Sequence, residues 1–285
     1  MEKSVSGFVL ETLIRRYINM RNLDDMEIVG LVPAAGSASR LAPLPFSKEL
    51  FPVSLDKVEP VSDSPVKLVS HYLFAKLRLA EAKKVYVVIR DEKMDLARYY
   101  RDGSSVGLNL AYIVVDETPG VPYTVDSAFP FINNAVVLFG FPDIVFRPQN
   151  AFKQIVDRIK VVDADVVIGL FDLFPNQLTD RIEVGKDGDV IGFDIRTTSP
   201  DSSPGWAIAV WTPIFTRFLQ NFLIKCPPSQ NQSIPSQDIF LAHVFQAALK
   251  ERIKINSIHF SGFNFWDIGT PKGLQKALRD QESWN

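Results

Sequence analysis

The stretch VPAAGSASRL at residues 32–41, followed by SKELFP at residues 47–52, is the most informative part of the chain. An apolar run over residues 28–32 ends in a loop of tiny residues. That loop closes on Arg40, and Lys48 follows eight positions later. Small residues let phosphates approach backbone N–H groups closely, and a guanidinium and an ammonium group can neutralise those phosphates. The pattern therefore predicts a strand that leads into a triphosphate-binding loop.

Apolar runs alternate with amphipathic segments on both sides of this loop, which predicts a sheet covered by helices. The expected strands are residues 27–32, 85–89, 108–115, 135–141, 165–171, 206–211 and 253–258. The expected helices are residues 66–80, 94–100, 126–132, 151–161, 212–222 and 236–249, and a last one opened by Thr270-Pro271. Lys186-Asp187-Gly188 predicts the turn of a hairpin. The fold class is α/β, Rossmann-like, with a mixed and mostly parallel sheet between helices on both faces.

Composition narrows the functional classes. The chain has 285 residues, 46% of them hydrophobic, with a formal net charge of -2, so no basic field indicates nucleic acid or an anionic membrane as a partner. A single cysteine, Cys226, excludes an intramolecular disulfide and a cysteine metal cage. Three histidines make a histidine metal site or a catalytic triad unfavourable. We expect a cytoplasmic protein, since no apolar run approaches the ~18 residues that cross a bilayer.

The N-terminal part has a hydrophobic pattern that differs from the alternating strands and helices of the rest of the chain. Residues 1–26 contain apolar positions at helical spacing, interrupted by Glu11, Arg15 and Arg16, so they lack a signal-peptide core. They predict a helical extension that packs on the main body or on a second subunit, which leaves a homo-oligomer open. Residues 27–285 are expected to form one catalytic domain.

The loop after the first strand is neither an ATPase P-loop nor a dinucleotide fingerprint, because the required second and third glycines are missing. Arg40, Pro43, Lys48 and Pro52 make it specific nonetheless. With these residues the chain resembles the sugar-1-phosphate nucleotidyltransferases, in particular the glucose-1-phosphate thymidylyltransferase and uridylyltransferase group. Further segments carry the resemblance over residues 27–280; these are 102–110, FPDIVF at 141–146 and WDIGTP at 266–271.

The resemblance implies a nucleotide-diphospho-sugar transferase fold, a nucleoside triphosphate and a sugar 1-phosphate as substrates, and Mg²⁺ as cofactor. Its catalytic residues would be Arg40, Lys48 and Asp143, with the metal on Asp143 and Asp267. The implied nucleotide contacts are Ala35, Gly36, Ser37, Ala38, Ser39, Tyr123 and Thr124. The implied sugar-phosphate contacts are Asp194, Arg196 and Asp238.

The two aspartates also make sense without the resemblance. Asp143 and Asp267 both follow strand-like apolar runs, so both could reach the same edge of the sheet. Mg²⁺ prefers one or two carboxylates together with phosphate oxygens and water. The alternative for each aspartate is structural, since Asp143 could cap a turn and Asp267 could precede a helix start.

Three segments depart from the pattern of the family. Ala38 replaces the second glycine of the loop, residues 120–126 lack the usual glutamine, and Ile195-Arg196-Thr197 replaces Glu-Lys-Pro. The segment around Tyr123 would then meet the base in another way. These departures keep two alternatives open, a cytidylyltransferase acting on a non-sugar phosphate and a catalytically silent homologue that binds nucleotide or sugar phosphate as a regulatory subunit.

Overall fold

A computed structural model describes residues 23–37, 40–54, 66–198, 203–225 and 239–280. Most of the predicted N-terminal extension lies outside these ranges, as do three residues with predicted roles, Ala38, Ser39 and Asp238, together with Cys226. None of the helices within the ranges is both long and apolar enough to cross a membrane.

The described ranges contain twelve strands and eight α-helices. The strands are β1 (Ile28–Pro33), β2 (Pro52–Ser54), β3 (Lys67–Leu68), β4 (Lys84–Ile89), β5 (Leu110–Val114), β6 (Val136–Gly140), β7 (Ile144–Phe146), β8 (Val166–Asp172), β9 (Thr179–Val184), β10 (Val190–Thr197), β11 (Gly205–Trp211) and β12 (Ile255–Asp267). The helices are α1 (Val69–Leu79), α2 (Met94–Tyr100), α3 (Val121–Asp126), α4 (Phe129–Ile132), α5 (Ala151–Val161), α6 (Pro213–Lys225), α7 (Leu241–Lys250) and α8 (Pro271–Arg279).

Ten strands form one mixed sheet in which β1 holds a central place. The order is β5-β4-β1-β6-β11-β8-β12-β7, and the β9–β10 hairpin joins at β11. β5, β4, β1 and β6 run parallel, so the chain winds to one side of β1 and then crosses to the other. Ligands of such sheets bind at the carboxyl ends of the strands where the winding direction changes. The loop after β1 and the segment after β6 flank that position.

Apolar side chains bury both faces of the sheet, as an α/β class requires. Alternation along β1 sends Val29 and Leu31 into the core with α6 and α7, and Val32 into the opposite core with α1 and α5. Trp206 and Trp211 belong to the first of these cores. They pack in the interior, as predicted.

Several element boundaries differ from prediction because long-range pairing overrides local preference. Helix α1 begins at Val69 rather than residue 66, since Lys67 and Leu68 pair with β2 instead. The predicted helix over 126–132 is two short helices, of which α3 begins at Val121 behind Gly120. Strand β12 runs on to Asp267, nine residues beyond the predicted end, because it pairs first with β8 and then with β7.

Candidate active site

Three predicted residues, Lys48, Asp143 and Asp267, converge on the surface of Gly269. The ammonium of Lys48 forms an ion pair with Asp143 Oδ2. A Cβ atom placed on Gly269 would lie 2.5 Å from Asp143 Oδ2, 3.0 Å from Asp267 Oδ1 and 3.2 Å from Lys48 Nζ. Only glycine leaves this space to the three side chains. Gly269 had not been singled out from the sequence, although it lies inside the WDIGTP segment.

Sheet register brings the two aspartates together. Strands β7 and β12 are antiparallel, and Asp267 is the partner of Ile144, the residue that follows Asp143. The N–H of Ile268 also donates to the carbonyl of Asp143, at 3.0 Å. The two carboxylates are therefore fixed side by side by backbone pairing. The structure thus brings the two aspartates together at one edge of the sheet, as expected from the sequence.

Burial and mutual attraction set the charges of this group. Burial alone would lower the pKa of Lys48, but Asp143 and then Glu49 outweigh that effect and raise it. Burial would raise the pKa of Asp143, but the ion pair with Lys48 outweighs it and lowers it. The pKa of Asp267 is raised by burial and by the nearby charge of Asp143. The site thus holds an ammonium–carboxylate pair beside a second carboxylate that takes up a proton more readily.

The loop after β1 opens toward solvent beside this group. The N–H of Ala34 donates to the carbonyl of Val88 at 2.8 Å, which extends the β1–β4 pairing, and Ala35 is buried. Gly36 and Ser37 are exposed, and a Cβ on Gly36 would meet no atom of the described residues within 4 Å. Arg40 is exposed, and its charge is close enough to Asp267 to oppose part of the rise in the pKa of that carboxyl that burial and Asp143 cause. Open space beside exposed backbone and a cation suits an approaching phosphate chain.

A second set of polar residues supports the turn that carries Lys48. Ser47 donates to both oxygens of Asp95, at 2.7 Å from its N–H and 2.6 Å from its hydroxyl. Lys93 Nζ lies 2.6 Å from Glu49 Oε1, and both side chains are buried. Sequence reasoning missed Lys93 and Asp95, because nothing in the local pattern of residues 91–95 distinguishes them from an ordinary helix start.

The predicted sugar-phosphate residues lie on the β9–β10 hairpin. Asp194 and Arg196 are both exposed on β10. Arg196 has a positive φ of 51°, an unusual conformation for a residue with a side chain. Its N–H donates to Asp180 Oδ1 at 2.9 Å, and Asp180 Oδ2 accepts from Trp206 Nε1 at 3.1 Å. Asp180, which sequence reasoning also missed, therefore holds this part of β10 to β11.

The predicted base-binding segment and the hairpin meet at residues 239–240. The guanidinium of Arg196 lies 4.8 Å from the centre of the Phe240 ring. A Cβ on Gly120 would be 2.8 Å from the carbonyl oxygen of Ile239. Tyr123 and Thr124 follow Gly120 in α3. The two predicted substrate-binding segments thus flank one short stretch of chain.

Tyr123 and Thr124 differ in how far they are available to a ligand. Thr124 is buried, and its hydroxyl pairs with that of Thr118 at 2.7 Å and reaches the carbonyl of Gly120 at 3.3 Å. Tyr123 is half-buried beside the core formed with α6 and α7. Of the two, Tyr123 presents more surface to a base.

The donor set fits a hard divalent cation that is shared with a substrate. The described residues contain no group of three or more histidine, cysteine, aspartate or glutamate side chains arranged to hold a metal. Asp143 and Asp267 supply two carboxylates at one point. Mg²⁺ is commonly held by one or two carboxylates, with phosphate oxygens and waters completing the octahedron. The residues present therefore suit magnesium that arrives with phosphate better than a resident metal in an all-protein cage.

The chain has matches among solved structures but not among family models or curated sequences. No protein-family model matches the chain, and no curated protein matches it in sequence. Solved structures do match. A protein from Bacillus anthracis described provisionally as a glucose-1-phosphate thymidylyltransferase, in complex with sucrose, superimposes with a TM-score of 0.71 at 17% identity, covering 90% of this chain and 96% of its own.

Two UDP-glucose pyrophosphorylases show the same likeness. One, complexed with UDP-glucose, has a TM-score of 0.70 at 15% identity and covers 91% of this chain and 100% of its own. The other, from Acinetobacter baumannii, has a TM-score of 0.65 at 13% identity and covers 89% and 92%. These neighbours belong to the family that the sequence motifs indicated. The chain therefore has the fold of the sugar-1-phosphate nucleotidyltransferases.

Proposed function

We propose that this chain is a nucleotidyltransferase that joins a nucleoside triphosphate, dTTP or UTP, to a sugar 1-phosphate and releases pyrophosphate. The convergence of Lys48, Asp143 and Asp267 over Gly269 carries the proposal. The neighbouring structures add support, since they include a UDP-glucose pyrophosphorylase complexed with UDP-glucose. The activity is assigned to the domain of residues 27–285.

In the proposed reaction an oxygen of the sugar phosphate forms a bond to the α-phosphorus of the triphosphate. The bond from that phosphorus to the bridging oxygen breaks, and the electron pair leaves with pyrophosphate. The attacking phosphate is already an anion at neutral pH, so no general base is required. Catalysis then consists of bringing two anions together in line and neutralising their charge.

The chain's own residues would do this work from three sides. Exposed backbone at Gly36 and Ser37 receives the phosphate chain. Arg40 holds the departing pyrophosphate, and Lys48 bridges the sugar phosphate and the α-phosphate. Asp143 keeps Lys48 protonated and in place, since their ion pair raises the pKa of the ammonium. Magnesium held by Asp143 and Asp267 would supply further charge neutralisation on the phosphates.

The substrate-binding side of the site is proposed from the segments that meet at residues 239–240. Tyr123, half-buried on α3, would contact the pyrimidine. Arg196 and Asp194 on the hairpin would meet the sugar phosphate, and Asp238, which directly precedes Ile239 in the sequence, is the third residue proposed for it. Ala35, Ala38, Ser39 and Thr124 complete the proposed nucleotide-binding set through backbone and packing.

The test is pyrophosphate release with the full chain, Mg²⁺ and each of the four common triphosphates, crossed with a panel of sugar 1-phosphates that includes glucose 1-phosphate. We expect release with dTTP or UTP that depends on both the sugar phosphate and the metal. Absence of release across the panel would contradict the proposal. Release confined to CTP and a non-sugar phosphate would identify a cytidylyltransferase, and calorimetric nucleotide binding without turnover would identify a silent homologue.

A further inference from the structure

Both neighbours of Lys48 in the chain are tied to one other segment. Ser47, before it, donates twice to Asp95. Glu49, after it, accepts from Lys93 at 2.6 Å. Lys93 and Asp95 are themselves two residues apart, Lys93 just before α2 and Asp95 in its first turn. The short helical turn Lys48–Leu50 is therefore held at two points by one continuous segment that follows β4 at the carboxyl edge of the sheet.

The contact between Glu49 and Lys93 is a buried ion pair, with residue exposures of 1% and 6%. Burying two charges costs desolvation free energy, so such a pair is weak grounds for overall stability and better explained by a need for position. Burial is the main influence on both groups, raising the pKa of Glu49 and lowering that of Lys93, and each charge opposes the effect on the other. Neither residue touches a reacting atom in the proposed reaction.

Glu49 also lies close to three parts of the site, which are the loop after β1, Lys48 and the segment that carries Asp143. Its Oε2 is buried without a hydrogen-bond partner among the described residues. A small internal cavity beside it is lined by Ala34 from the loop after β1 and by Pro142, which precedes Asp143. Tyr112 lines the same cavity. A shift of Glu49 would therefore be felt by the phosphate loop, by Lys48 and by Asp143 together.

We propose that Lys93 and Asp95 are positioning residues that hold the Ser47–Glu49 turn, and through it the ammonium of Lys48, against Asp143. The proposal rests on the proposed function for its catalytic consequence, but its structural content stands without it. With the two ties in place, the backbone of Lys48 is fixed on both sides. Without them, the turn is left to the Ser70 hydroxyl, which donates to the carbonyl of Glu49 at 2.6 Å, and to the ion pair of Lys48 itself. The ammonium then samples positions away from the reacting phosphates.

The test compares three variants with the full wild-type chain. Asp95→Ala removes the tie to Ser47. Lys93→Met removes the other tie but leaves the Glu49 charge buried and unpaired, so Glu49→Met/Lys93→Met is made as well to remove the pair without an unpaired charge. Lys153→Met is the matched control, because Lys153 pairs with Asp157 on the exposed face of α5, at 3.4 Å.

The first readout is the rate at which Lys48 is reductively methylated by formaldehyde and cyanoborohydride, followed by peptide mass spectrometry with the exposed Lys84 as internal reference. We expect Lys48 to react several-fold faster in Asp95→Ala and in the double variant, and at the wild-type rate in Lys153→Met. The second readout is turnover. A displacement of about 1 Å can cost about 10²-fold, so we expect kcat to fall roughly tenfold or more, with a smaller change in KM.

The outcomes separate positioning from mere folding. If the double variant recovers the thermal midpoint lost in Lys93→Met and also the wild-type labelling rate and kcat, the ion pair is only structural and the proposal for Lys93 is overturned. Wild-type labelling in folded Asp95→Ala overturns it for Asp95. Labelling does not depend on turnover, so a wild-type chain without transferase activity contradicts the proposed function while leaving the positioning question to the labelling comparison.

Discussion

Two lysines in different regions of the molecule, both largely withdrawn from solvent, have pKa values shifted in opposite directions. Lys48, in the turn before β2, meets the carboxylate of Asp143, which raises its pKa. Lys76, near the end of α1, is 1% exposed and donates to the amide oxygen of Gln149 at 3.0 Å and to the carbonyl of Tyr72 at 3.3 Å. Burial, followed by the charge of Arg147, lowers the pKa of Lys76 to about 7.

The difference shows that burial alone does not decide what a buried lysine can do. A cation that faces phosphates, as we propose for Lys48, has to stay charged, and the Asp143 carboxylate favours its charged form. Lys76 packs 4.8 Å from the centre of the Phe146 ring and lacks an acidic partner among the described residues. It behaves as a core residue with a polar end. Between Lys48 and Lys76, the carboxylate of Asp143 accounts for the opposite directions of the two pKa shifts.

The largest effect is expected when Lys48 loses its acidic partner and is left, like Lys76, with an amide as its neighbour. Asp143→Asn removes the carboxylate and leaves a buried lysine beside an amide, so the pKa of Lys48 should fall. We expect turnover to drop by roughly 10²- to 10³-fold, the usual cost of removing a charge-stabilising group. Pyrophosphate release measures it, with Asp157→Asn on the exposed Lys153 pair as control. Activity above about a tenth of wild type would remove Asp143 from the proposed mechanism.

The second carboxylate offers a different expectation. Burial and then Asp143 raise the pKa of Asp267, so replacing its charge relieves repulsion. The amide oxygen of Asp267→Asn can still accept from the N–H of Gly269, now at 2.8 Å from Asp267 Oδ1. We expect turnover to fall by about 10²-fold with an unchanged or slightly raised thermal midpoint. Retained activity in both aspartate variants would show that the metal assignment is wrong.

Lys76→Met is expected to leave turnover unchanged, in contrast to Asp143→Asn, and to raise the free energy of unfolding. Lys76 has a pKa of about 7 in the folded chain against the usual 10.5. Between these pH values the unfolded chain holds the extra proton, so the free energy of unfolding of the wild type rises with pH through this window. A methionine at position 76 has no charge to bury, so it avoids the free-energy cost of burying the ammonium. We expect the variant to be more stable by on the order of 2 kcal/mol at pH 6, with the gain shrinking toward pH 10.

Chemical denaturation of both proteins at several pH values measures this gain. A Lys76→Met variant that is less stable than wild type at pH 6 would mean that the contacts with Gln149 and Tyr72 outweigh the burial of charge. Loss of turnover in that variant would mean that Lys76 belongs to the site.

The smallest expected effect lies on the exposed hairpin. Arg196→Gln removes a solvent-exposed guanidinium but keeps the backbone contact with Asp180. We expect the KM for the sugar 1-phosphate to rise roughly three- to tenfold, within the range of one charge-assisted hydrogen bond near water, and kcat to change less. Lys186→Gln, at the far turn of the same hairpin, is the control. An unchanged KM would remove Arg196 from the sugar-phosphate side.

Local pattern predicted much of this molecule and failed at identifiable places. Helices over 94–100 and 151–161 lie where their periodicity predicted them, and Thr270 caps α8 by accepting from the N–H of Gly273 at 3.1 Å. The start of α1 and the end of β12 were wrong, since both depend on strands that lie far away in the chain. Propensity is a weak signal where a tertiary partner competes for the same backbone.

The residues of the candidate site likewise divide into those that the sequence indicated and those that it missed. The pattern of the loop after β1 pointed to Lys48, and the resemblance to a known family pointed to Asp143 and Asp267, both of which follow strand-like apolar runs. Glu49 and Lys93 are 44 positions apart and form their ion pair only in the folded chain. Asp180 likewise fixes Arg196 across the hairpin. No local signature marks such pairs, since each member alone looks like an ordinary surface charge.

The alternation of strands and helices, and the prediction of a phosphate-binding loop after β1, follow from the sequence alone, because both depend on residue type and short-range spacing. Tertiary structure alone decided which polar groups meet over Gly269, which lysine keeps its charge, and what holds the Lys48 turn in place. These depend on burial and on the distance to a partner, and both quantities exist only once distant segments have packed together.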